Sequence, residues 1–415
     1  MAIASIIALS IWAPSAAHAS GCTDSFTNTA GGSWSTGSNW SKKAAPTSEE
    51  EACITDNGTY TVTLSATSVS VASLTIGGSS GTQTLAVESS CSGSASLGST
   101  GGLAVGANGA ITLTNSGLCA NGDTLGGPVS NAGTITSAPG TSGGARNLEG
   151  NLTNTGILAI DANASFNGAK ATFTNDGSVD LGSGLELFVA GGDSFTNGGG
   201  GSISAPGGAD VFLASGSTFD QGAGTTSGSQ PVVLFEATLN YTGSGASTIR
   251  MRSYPSHLSG NIASGQSLVL EGCVGGGYPA IVGAVGSFSN EGSIALTSAK
   301  HGENDCGGND GATLNVENGG TLTNAGTITA EAGIGGARSL NGNVTNTGEL
   351  AVDTGTALQG SGVAFDNEGA VDLGSGLELF VAGGDSFTNG GGGSISAPGG
   401  ADVFLASGST FDQGA

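Results

Sequence analysis

A 45-residue block occurs twice without a single change, from Val179 to Ala223 and again from Val371 to Ala415. Both copies are built from a smaller unit, in which an apolar residue is followed by Thr, Ser or Asp, then by Asn, and then by alternating apolar positions. The best-preserved intervals between successive Asn residues are 21 to 23 residues. That interval fits one three-sided coil of short strands and tight turns, so the sequence predicts an all-β fold, a parallel β-solenoid.

Stacked coils would place the Asn residues of successive units one above another, about 4.8 Å apart. In such a ladder the side-chain amides satisfy one another and the backbone at a turn. A Gly often follows two residues later, and we expect it to adopt positive φ there. The predicted ladder consists of Asn115, Asn131, Asn154, Asn175, Asn197, Asn290, Asn324, Asn346, Asn367 and Asn389.

A longer repeat is superimposed on the short one. The strand before Cys91 matches the strand before Cys273, 182 residues later, and GGARNLEGNLTNTG at 143–156 matches GGARSLNGNVTNTG at 335–348, 192 residues later, so the long period is roughly 182 to 192 residues. The difference is taken up by an insertion around His301 to Asn309. We therefore predict two long repeats, 59–264 and 265–415. About 18 coils of about 22 residues, each rising about 4.8 Å, would form a rod on the order of 85 Å long.

The N-terminal segment differs from the repeats. Residues 1–19 have the apolar run and the Ala17-His18-Ala19 site of a signal peptide. Residues 20–58 contain Trp34 and Trp40, which we interpret as a cap over the open end of the first coil. The alternative is that the two indoles form a platform on which a sugar stacks.

Six cysteines fit an exported chain in an oxidising compartment, and none belongs to a Cys-x-x-Cys pair. Proximity in the sequence and position in the repeat suggest three disulfides. The predicted pairs are Cys22 with Cys53, Cys91 with Cys119, and Cys273 with Cys306.

Charge excludes one class of partner. The chain has 32 acidic and eight basic residues and a formal net charge of -24. Nucleic-acid binding requires clustered Lys and Arg to replace counterions, so we expect no nucleic-acid partner. No apolar run of about 18 residues follows the N-terminal segment, so we expect no membrane span.

The sequence contains few candidate catalytic or ligand-binding residues. Arg250 and Arg252 share a predicted strand face and, with Tyr254 and His257, form the one locally basic, aromatic region, which is a possible contact patch. The repeated acids Asp180, Glu186 and Asp193 recur as Asp372, Glu378 and Asp385 because the whole block recurs, whereas a catalytic site is normally unique. We therefore predict no catalytic residue and no cofactor. Calcium stays an open possibility, because GGNDGATLN at 307–315 loosely resembles a calcium-binding nonapeptide.

Two features are similar to a known class of proteins. The run W-S-T-G-S-N-W-S from Trp34 to Ser41, with Pro46 and the strands up to Ile76, resembles the entry module of bacterial exported β-strand-repeat proteins. The Asn-x-Gly coils resemble those of autotransporter passengers and filamentous-haemagglutinin-like adhesins. This resemblance implies a right-handed parallel β-helix that is secreted or displayed on the cell surface and is often adhesive.

These observations predict a non-enzymatic, exported or cell-surface repeat protein that acts as a rigid stalk or adhesin. Its ligand would be a surface molecule, either a glycan or a protein of a host or neighbouring cell, bound through many weak contacts. Two alternatives remain open. A carbohydrate-active β-helix enzyme would require Asp, Glu and Arg from different coils in one groove, and an ice- or mineral-binding solenoid would require a flat, regular Thr array.

Overall fold

The structure, a computed structural model, describes residues 21–141, 143–272, 278–299 and 311–414. It is an all-β parallel β-solenoid of about 15 turns of roughly 23 residues, which confirms the predicted fold class. The expected 18 turns were too many, because some turns are longer than 22 residues; Asn290 and its neighbour in the next turn, Asn324, are 34 residues apart. At about 4.8 Å a turn, the stack is roughly 70 Å long rather than about 85 Å.

The described residues form 47 strands and one short 3₁₀ helix, Gly37–Asn39. In chain order the strands are β1 (Asp24–Ser25), β2 (Gly32–Ser33), β3 (Glu51–Ile54), β4 (Tyr60–Ser65), β5 (Ser68–Val71), β6 (Ser73–Ile76), β7 (Gln83–Ser89), β8 (Ala95–Ser99), β9 (Leu103–Val105), β10 (Gly109–Asn115), β11 (Asp123–Gly126), β12 (Val129–Asn131), β13 (Thr134–Ser137), β14 (Arg146–Glu149), β15 (Leu152–Asn154), β16 (Ile157–Ile160), β17 (Ala164–Asn167), β18 (Thr172–Asn175), β19 (Ser178–Leu181), β20 (Glu186–Val189), β21 (Ser194–Asn197), β22 (Ser202–Ala205), β23 (Asp210–Leu213), β24 (Thr218–Gln221), β25 (Thr225–Gly228), β26 (Val232–Phe235), β27 (Thr238–Tyr241), β28 (Ser247–Arg252), β29 (Ser256–Ser259), β30 (Gln266–Gly272), β31 (Ala280–Val285), β32 (Phe288–Asn290), β33 (Ser293–Ser298), β34 (Ala312–Glu317), β35 (Thr321–Asn324), β36 (Thr327–Ala330), β37 (Arg338–Asn341), β38 (Asn343–Asn346), β39 (Glu349–Val352), β40 (Thr356–Gln359), β41 (Ala364–Asn367), β42 (Ala370–Leu373), β43 (Glu378–Val381), β44 (Ser386–Asn389), β45 (Ser394–Ser396), β46 (Asp402–Leu405) and β47 (Thr410–Gln413).

These strands stack in parallel on three sides, and the chain visits sides 1, 2 and 3 in that order. Side 1 is a 17-stranded sheet, and side 3 is a 15-stranded sheet. Side 2 is a nine-stranded sheet from β2 to β25 and then a six-stranded sheet from β32 to β47. Irregular backbone joins those two sheets, since the amide of Gly245 donates to the Gly222 carbonyl and the amide of Ile262 donates to the Ser289 carbonyl.

The core runs along the axis of the stack because apolar and small polar residues alternate in most strands. A strand points successive side chains to opposite faces, so every second residue enters the interior. On side 1 the rings of Phe173, Phe195 and Phe219 form one inward column with centroids 4.2 and 5.5 Å apart. All three are fully buried. Each turn therefore covers the apolar surface of the turn before it.

The two indoles of the N-terminal segment are buried, with Trp34 1% and Trp40 0% exposed. The Trp40 indole N–H donates to the Trp34 carbonyl at 2.7 Å, and the Trp40 ring contacts Phe26 edge-on at 5.2 Å. Phe26 in turn stacks on Tyr60 of β4. Neither indole can stack on a sugar, so the sugar-platform alternative is wrong. The interpretation of residues 20–58 as a cap stays a prediction.

Two predicted disulfides are confirmed. Cys22 bonds to Cys53, which joins the segment before β1 to β3, and Cys91 bonds to Cys119 across two consecutive turns. The third predicted pair, Cys273 with Cys306, lies outside the described residues, as do the signal peptide at 1–19 and the insertion around His301. The predicted boundary between residues 264 and 265 falls within a continuous sheet, where β28 pairs with β30.

The two identical blocks occupy different sides of the stack. In copy 1, Val179–Ala223, the strands β19 to β24 follow the order side 2, 3, 1, 2, 3, 1. In copy 2, Val371–Ala415, the strands β42 to β47 follow the order side 3, 1, 2, 3, 1, 2. The offset from Val179 to Val371 is 192 residues, which is about eight and one third turns of roughly 23 residues. Each strand of copy 2 therefore lies one side further round the rod than its identical counterpart.

Candidate functional site

Two asparagine ladders, on different sides, replace the single ladder that the sequence predicts. In each ladder the side-chain amide of one Asn donates to the side-chain oxygen of the next, at 2.7 to 3.1 Å. Ladder 1 lies on side 1 and ladder 2 on side 2, because the long repeat is not a whole number of turns. Ladder 1 contains Asn131, Asn154, Asn175 and Asn197, and ladder 2 contains Asn290, Asn324, Asn346, Asn367 and Asn389.

Asn115 belongs to neither ladder. It ends β10 on side 2, where it pairs in register with Ser89. Its amide donates to the carbonyls of Cys119 and Asn121, both at 2.9 Å. The prediction for Asn115 is therefore wrong in position, although the side chain is buried and hydrogen-bonded. Its role is local, because it fixes the loop that carries the Cys91–Cys119 disulfide.

The glycine two residues after the ladder Asn is required by close stacking and not by positive φ. Among the described residues, Gly156 and Gly348 do not adopt positive φ. A Cβ at Gly348 would instead collide with the Gly326 carbonyl oxygen, and one at Gly156 with the Gly133 carbonyl oxygen. The expectation of positive φ was wrong, because sequence alone does not show how closely the corners of successive turns approach.

We expect Gly348→Ala to destabilise the protein by about 1–3 kcal/mol, since overpacking a tight contact with backbone forces neighbouring turns apart. Gly355→Ala is the matched control, because a Cβ there meets no atom within 4 Å. Chemical denaturation followed by circular dichroism measures both. Equal stability of the two variants would contradict the close-stacking explanation.

Asp123 and Arg146 form a buried ion pair on side 3. They are register neighbours on β11 and β14, with Nε and Oδ2 3.5 Å apart and side chains 2% exposed or less. The Ser89 amide donates to Asp123 Oδ1 at 2.7 Å. Burial raises the pKa of Asp123 to about 6, although the Ser89 hydrogen bonds and the Arg146 charge oppose that shift. Desolvation therefore dominates over the ion pair.

This pKa predicts how stability depends on pH. Between about pH 4 and 6 the folded state binds more protons at Asp123 than the unfolded state, so the free energy of unfolding falls as the pH rises through that window. The pKa of Asp123 is 3.8 for a free carboxyl and about 6 in the folded protein, and this difference lowers the free energy of unfolding by about 3 kcal/mol at most across the window. We expect Asp123→Asn to remove this part of the decline. Denaturation of both proteins at pH 4 and 7 tests it, and parallel pH profiles would show that Asp123 does not titrate there.

The possible contact patch divides into two parts. Arg250 and Arg252 both donate to Oε2 of Glu271, at 2.8 and 3.1 Å. Glu271 is 1% and the Arg252 side chain 7% exposed, so this is a largely buried ion cluster between β28 and β30. Tyr254 is 59% exposed, and His257 is exposed on the adjoining side 1. The structure therefore does not bring the four residues together on one basic surface.

Outward-facing phenylalanines form a surface feature that was not predicted from the sequence. On side 3, the Phe188 and Phe212 rings are register neighbours with centroids 6.0 Å apart, and Phe212 also stacks on Phe235, which lies two residues beyond its register partner Val233, at 6.4 Å; we call the three rings ridge 1. Phe380 and Phe404 stack in the same way on side 1, 5.9 Å apart; we call them ridge 2. The rings are partly exposed, and Phe404 is 48% exposed. Strand alternation could have revealed four of them, since Phe188, Phe212, Phe380 and Phe404 each lie between two inward apolar residues.

An acidic row of two residues lies beside each ridge, two residues before the phenylalanine in β20 and β23 and in β43 and β46. Glu186 and Asp210 are register neighbours beside ridge 1, and Glu378 and Asp402 are register neighbours beside ridge 2. Burial raises the pKa of Glu186. Like charges directly opposite each other on neighbouring strands are unfavourable. Each copy therefore presents an apolar row and an acidic row side by side, and both run along the rod.

The other repeated acids do not join these rows. Asp180 is exposed on side 2, whereas Asp193 is buried and accepts a hydrogen bond from the Ala171 amide at 2.8 Å. Among the described residues, no group of three or more His, Cys, Asp or Glu side chains is arranged to hold a metal ion. Nor does that part of the chain contain a helix long and apolar enough to cross a membrane.

No protein-family model, curated protein or solved structure matches this chain. The function is therefore inferred from the geometry of the solenoid and its outward rows.

Proposed function

We propose that this protein is a non-enzymatic, exported repeat protein that acts as a rigid stalk with adhesive sides. The observation that carries the proposal is the continuous stack of about 15 turns around one apolar core. Each turn is fixed to the next by three strands and, over much of the rod, by a buried amide ladder. Such a body transmits force and holds its two ends roughly 70 Å apart.

Export is supported by the two disulfides, Cys22–Cys53 and Cys91–Cys119. Disulfides persist in oxidising environments and are rare in the cytosol. The formal net charge of -24 favours a dispersed rod over self-association. Together with the predicted signal peptide, these features favour an extracellular or cell-surface location.

Adhesion is supported by the regularity of the outward rows. On side 1, Thr153, Thr174 and Thr196 occupy one register position in three successive turns. Each such row offers the same weak contact at every turn, and repeated weak contacts on one rigid body bind cooperatively to a surface that carries many copies of a ligand. The proposed ligand is a surface glycan or a protein of another cell, and either can be displayed in many copies.

No specific observation favours either alternative, the carbohydrate-active enzyme or the ice- or mineral-binding solenoid. Within the part of the chain that the structure describes, the Arg–Glu cluster formed by different turns has its carboxylate 1% exposed, which does not suit a group that must touch a polysaccharide. On side 2, the outward row through Thr112 and Thr136 is continued by Ala159 and Asp180, so the Thr array is interrupted. These features favour the stalk over the enzyme and over the crystal-binding solenoid.

The test compares the chain with a variant shortened by two turns. Thr172, Ser194 and Thr218 are successive register neighbours, so deleting residues 172–217 removes two turns and preserves the phase of the strands. Small-angle scattering should show a rod that is about 10 Å shorter. A compact particle would contradict the stalk.

The adhesive part is tested by coating beads densely with each protein and measuring attachment to printed glycans and to intact cells. We expect attachment at high bead coating, none for the single soluble rod, and less for the shortened variant. No attachment of densely coated beads to any of these surfaces would contradict adhesion.

A further inference from the structure

The chain contains eight Asn-Gly pairs, and all of them lie within the described residues. An Asn-Gly pair can react in water without a catalyst, because Gly leaves the backbone free to rotate and its amide nitrogen unshielded. The Gly nitrogen attacks the side-chain carbonyl carbon of Asn and ammonia leaves, which gives a cyclic succinimide; water then opens the ring to aspartate or isoaspartate. The Asn residues followed directly by Gly are Asn57, Asn108, Asn121, Asn167, Asn197, Asn318, Asn341 and Asn389.

In seven of these pairs the fold restrains the reacting groups. The ladder residues Asn197 and Asn389 are buried, and the amides of the Gly residues that follow them donate to carbonyls of the preceding turn, both at 2.7 Å. Asn167 is half-buried in β17, where its carbonyl accepts from the Gly150 amide. Side-chain hydrogen bonds of 2.6 to 2.9 Å hold Asn57, Asn108, Asn121 and Asn341.

The eighth pair, Asn318-Gly319, has no such restraint. It forms the corner between β34 and β35, where Asn318 has a φ of +56° and Gly319 a φ of +69°. The Gly320 amide donates to the Glu317 carbonyl at 3.0 Å, so the corner is a type I′ turn. Both residues of the pair are exposed. Within the described part of the chain, neither the Asn318 side chain nor the Gly319 amide makes a hydrogen bond, so both reacting groups face water.

We propose that Asn318 is a site of spontaneous modification, at which the side-chain amide is converted to a carboxylate while the ladder asparagines stay intact. The bond between Cγ and Nδ2 of Asn318 breaks and a bond from Cγ to the Gly319 nitrogen forms. Overall one water is consumed and one ammonia is released, with no change of oxidation state. The inference is independent of the proposed adhesive function.

The isoaspartate product would loosen this corner of the stack. Isoaspartate adds a methylene to the backbone, directly before a residue that is tightly packed on both sides. A Cβ at Gly320 would collide with the Gly286 backbone in the preceding turn, and the Gly320 carbonyl accepts from the Asn343 amide of the next turn at 3.3 Å. The new carboxylate also adds a negative charge beside Glu317. Modification would therefore weaken the contacts of this corner with both neighbouring turns.

Trypsin digestion allows the reactive pair and a protected pair to be compared in one sample. Fragment 301–338 contains Asn318 in its single Asn-Gly pair, and fragment 171–250 contains Asn197 in its single pair. The full, folded chain is incubated in mildly alkaline buffer, reduced and digested, and the modified fraction of each fragment is measured by mass spectrometry. We expect Asn318 to react about tenfold faster or more, because Asn197 reacts only when its turn opens. Equal rates in the folded chain would overturn the proposal.

Two controls test whether the structure sets this difference. In urea, where the chain is unfolded, the two fragments should be modified at similar rates; a tenfold difference that persisted there would overturn the structural explanation. Asn318→Gly keeps the positive φ of the corner without strain and removes the reacting side chain. Fragment 301–338 of that variant should stay unmodified, and continued reaction would show that another residue is the site.

Hydrogen exchange measures the effect on the corner. After the same incubation, the amides of residues 317–321 should exchange faster in the unaltered protein than in Asn318→Gly, and only in the modified fraction. Identical exchange in the modified and unmodified fractions would contradict the loosening.

Discussion

Replacing Asn154 with leucine is expected to destabilise the protein by about 3–5 kcal/mol, because three buried polar groups lose a hydrogen bond together. Asn154 accepts from Asn131 at 2.7 Å and donates to the Asn175 side chain at 2.8 Å and to the Ser178 carbonyl at 2.9 Å. Its exposure is 0%, so water cannot replace these partners. The side chains of leucine and asparagine have similar volumes, so the loss of stability reflects mainly the missing amide hydrogen bonds.

Asn346→Leu tests whether the two ladders are equivalent. Asn346 makes the same set of bonds on side 2, to Asn367 at 2.8 Å and to the Ala370 carbonyl at 2.9 Å. Asn346→Leu should lower the stability by the same amount as Asn154→Leu. Thr153→Ala, which alters an outward side chain, should change the stability by less than about 0.5 kcal/mol. Denaturation followed by circular dichroism measures all three. A cost below 1 kcal/mol for both Asn variants would show that the ladder amides are not important for stability.

Arg338→Met is expected to cost about 4–5 kcal/mol, since it removes seven hydrogen bonds, of which those to the Leu296 carbonyl and the Ser298 hydroxyl are buried. The Arg338 side chain is 0% exposed and sits at the start of β37. Its guanidinium donates to the carbonyls of Leu296, Glu331, Ala332, Gly335, Gly336 and Ala337 and to the Ser298 hydroxyl, at 2.9 to 3.3 Å. Arg338 thereby holds the 331–337 loop against the stack of turns.

Arg338→Lys separates the charge from the shape of the guanidinium. Lysine keeps the charge but has three donors on one nitrogen instead of five on a planar fork. We expect an intermediate loss of stability and faster proteolysis in the 331–337 loop. If Met and Lys were equally well tolerated, the loop would have to be held by other contacts.

Local features of the fold could be predicted from the sequence. Strand alternation identified the inward positions, the 21-to-23-residue interval identified the turn, and proximity identified the Cys91–Cys119 pair. These features depend on residues within one or two turns, where spacing fixes the geometry. The burial of Trp34 was compatible with the predicted cap but not with the sugar platform, and composition alone did not decide between them.

Phase and register could not be predicted in the same way. The spacing of the Asn residues does not determine which side a strand occupies, so the transfer of the ladder from side 1 to side 2 could not be predicted. The pairing of Arg250 and Arg252 with Glu271 joins residues about 20 positions apart, and it depends on the register of β28 against β30. The phenyl ridges depend on the same information, because only the register shows which outward residues become neighbours.

The fractional number of turns in the long repeat has a consequence for how such a gene can grow. Unequal crossing-over between the two identical blocks would insert residues 224–415 after Ala415 without creating a junction sequence that the protein does not already contain. The added copy would lengthen the rod by about 40 Å and rotate its phenyl rings by one further side, onto side 2. Three copies would thus present phenyl rings in all three directions around the rod.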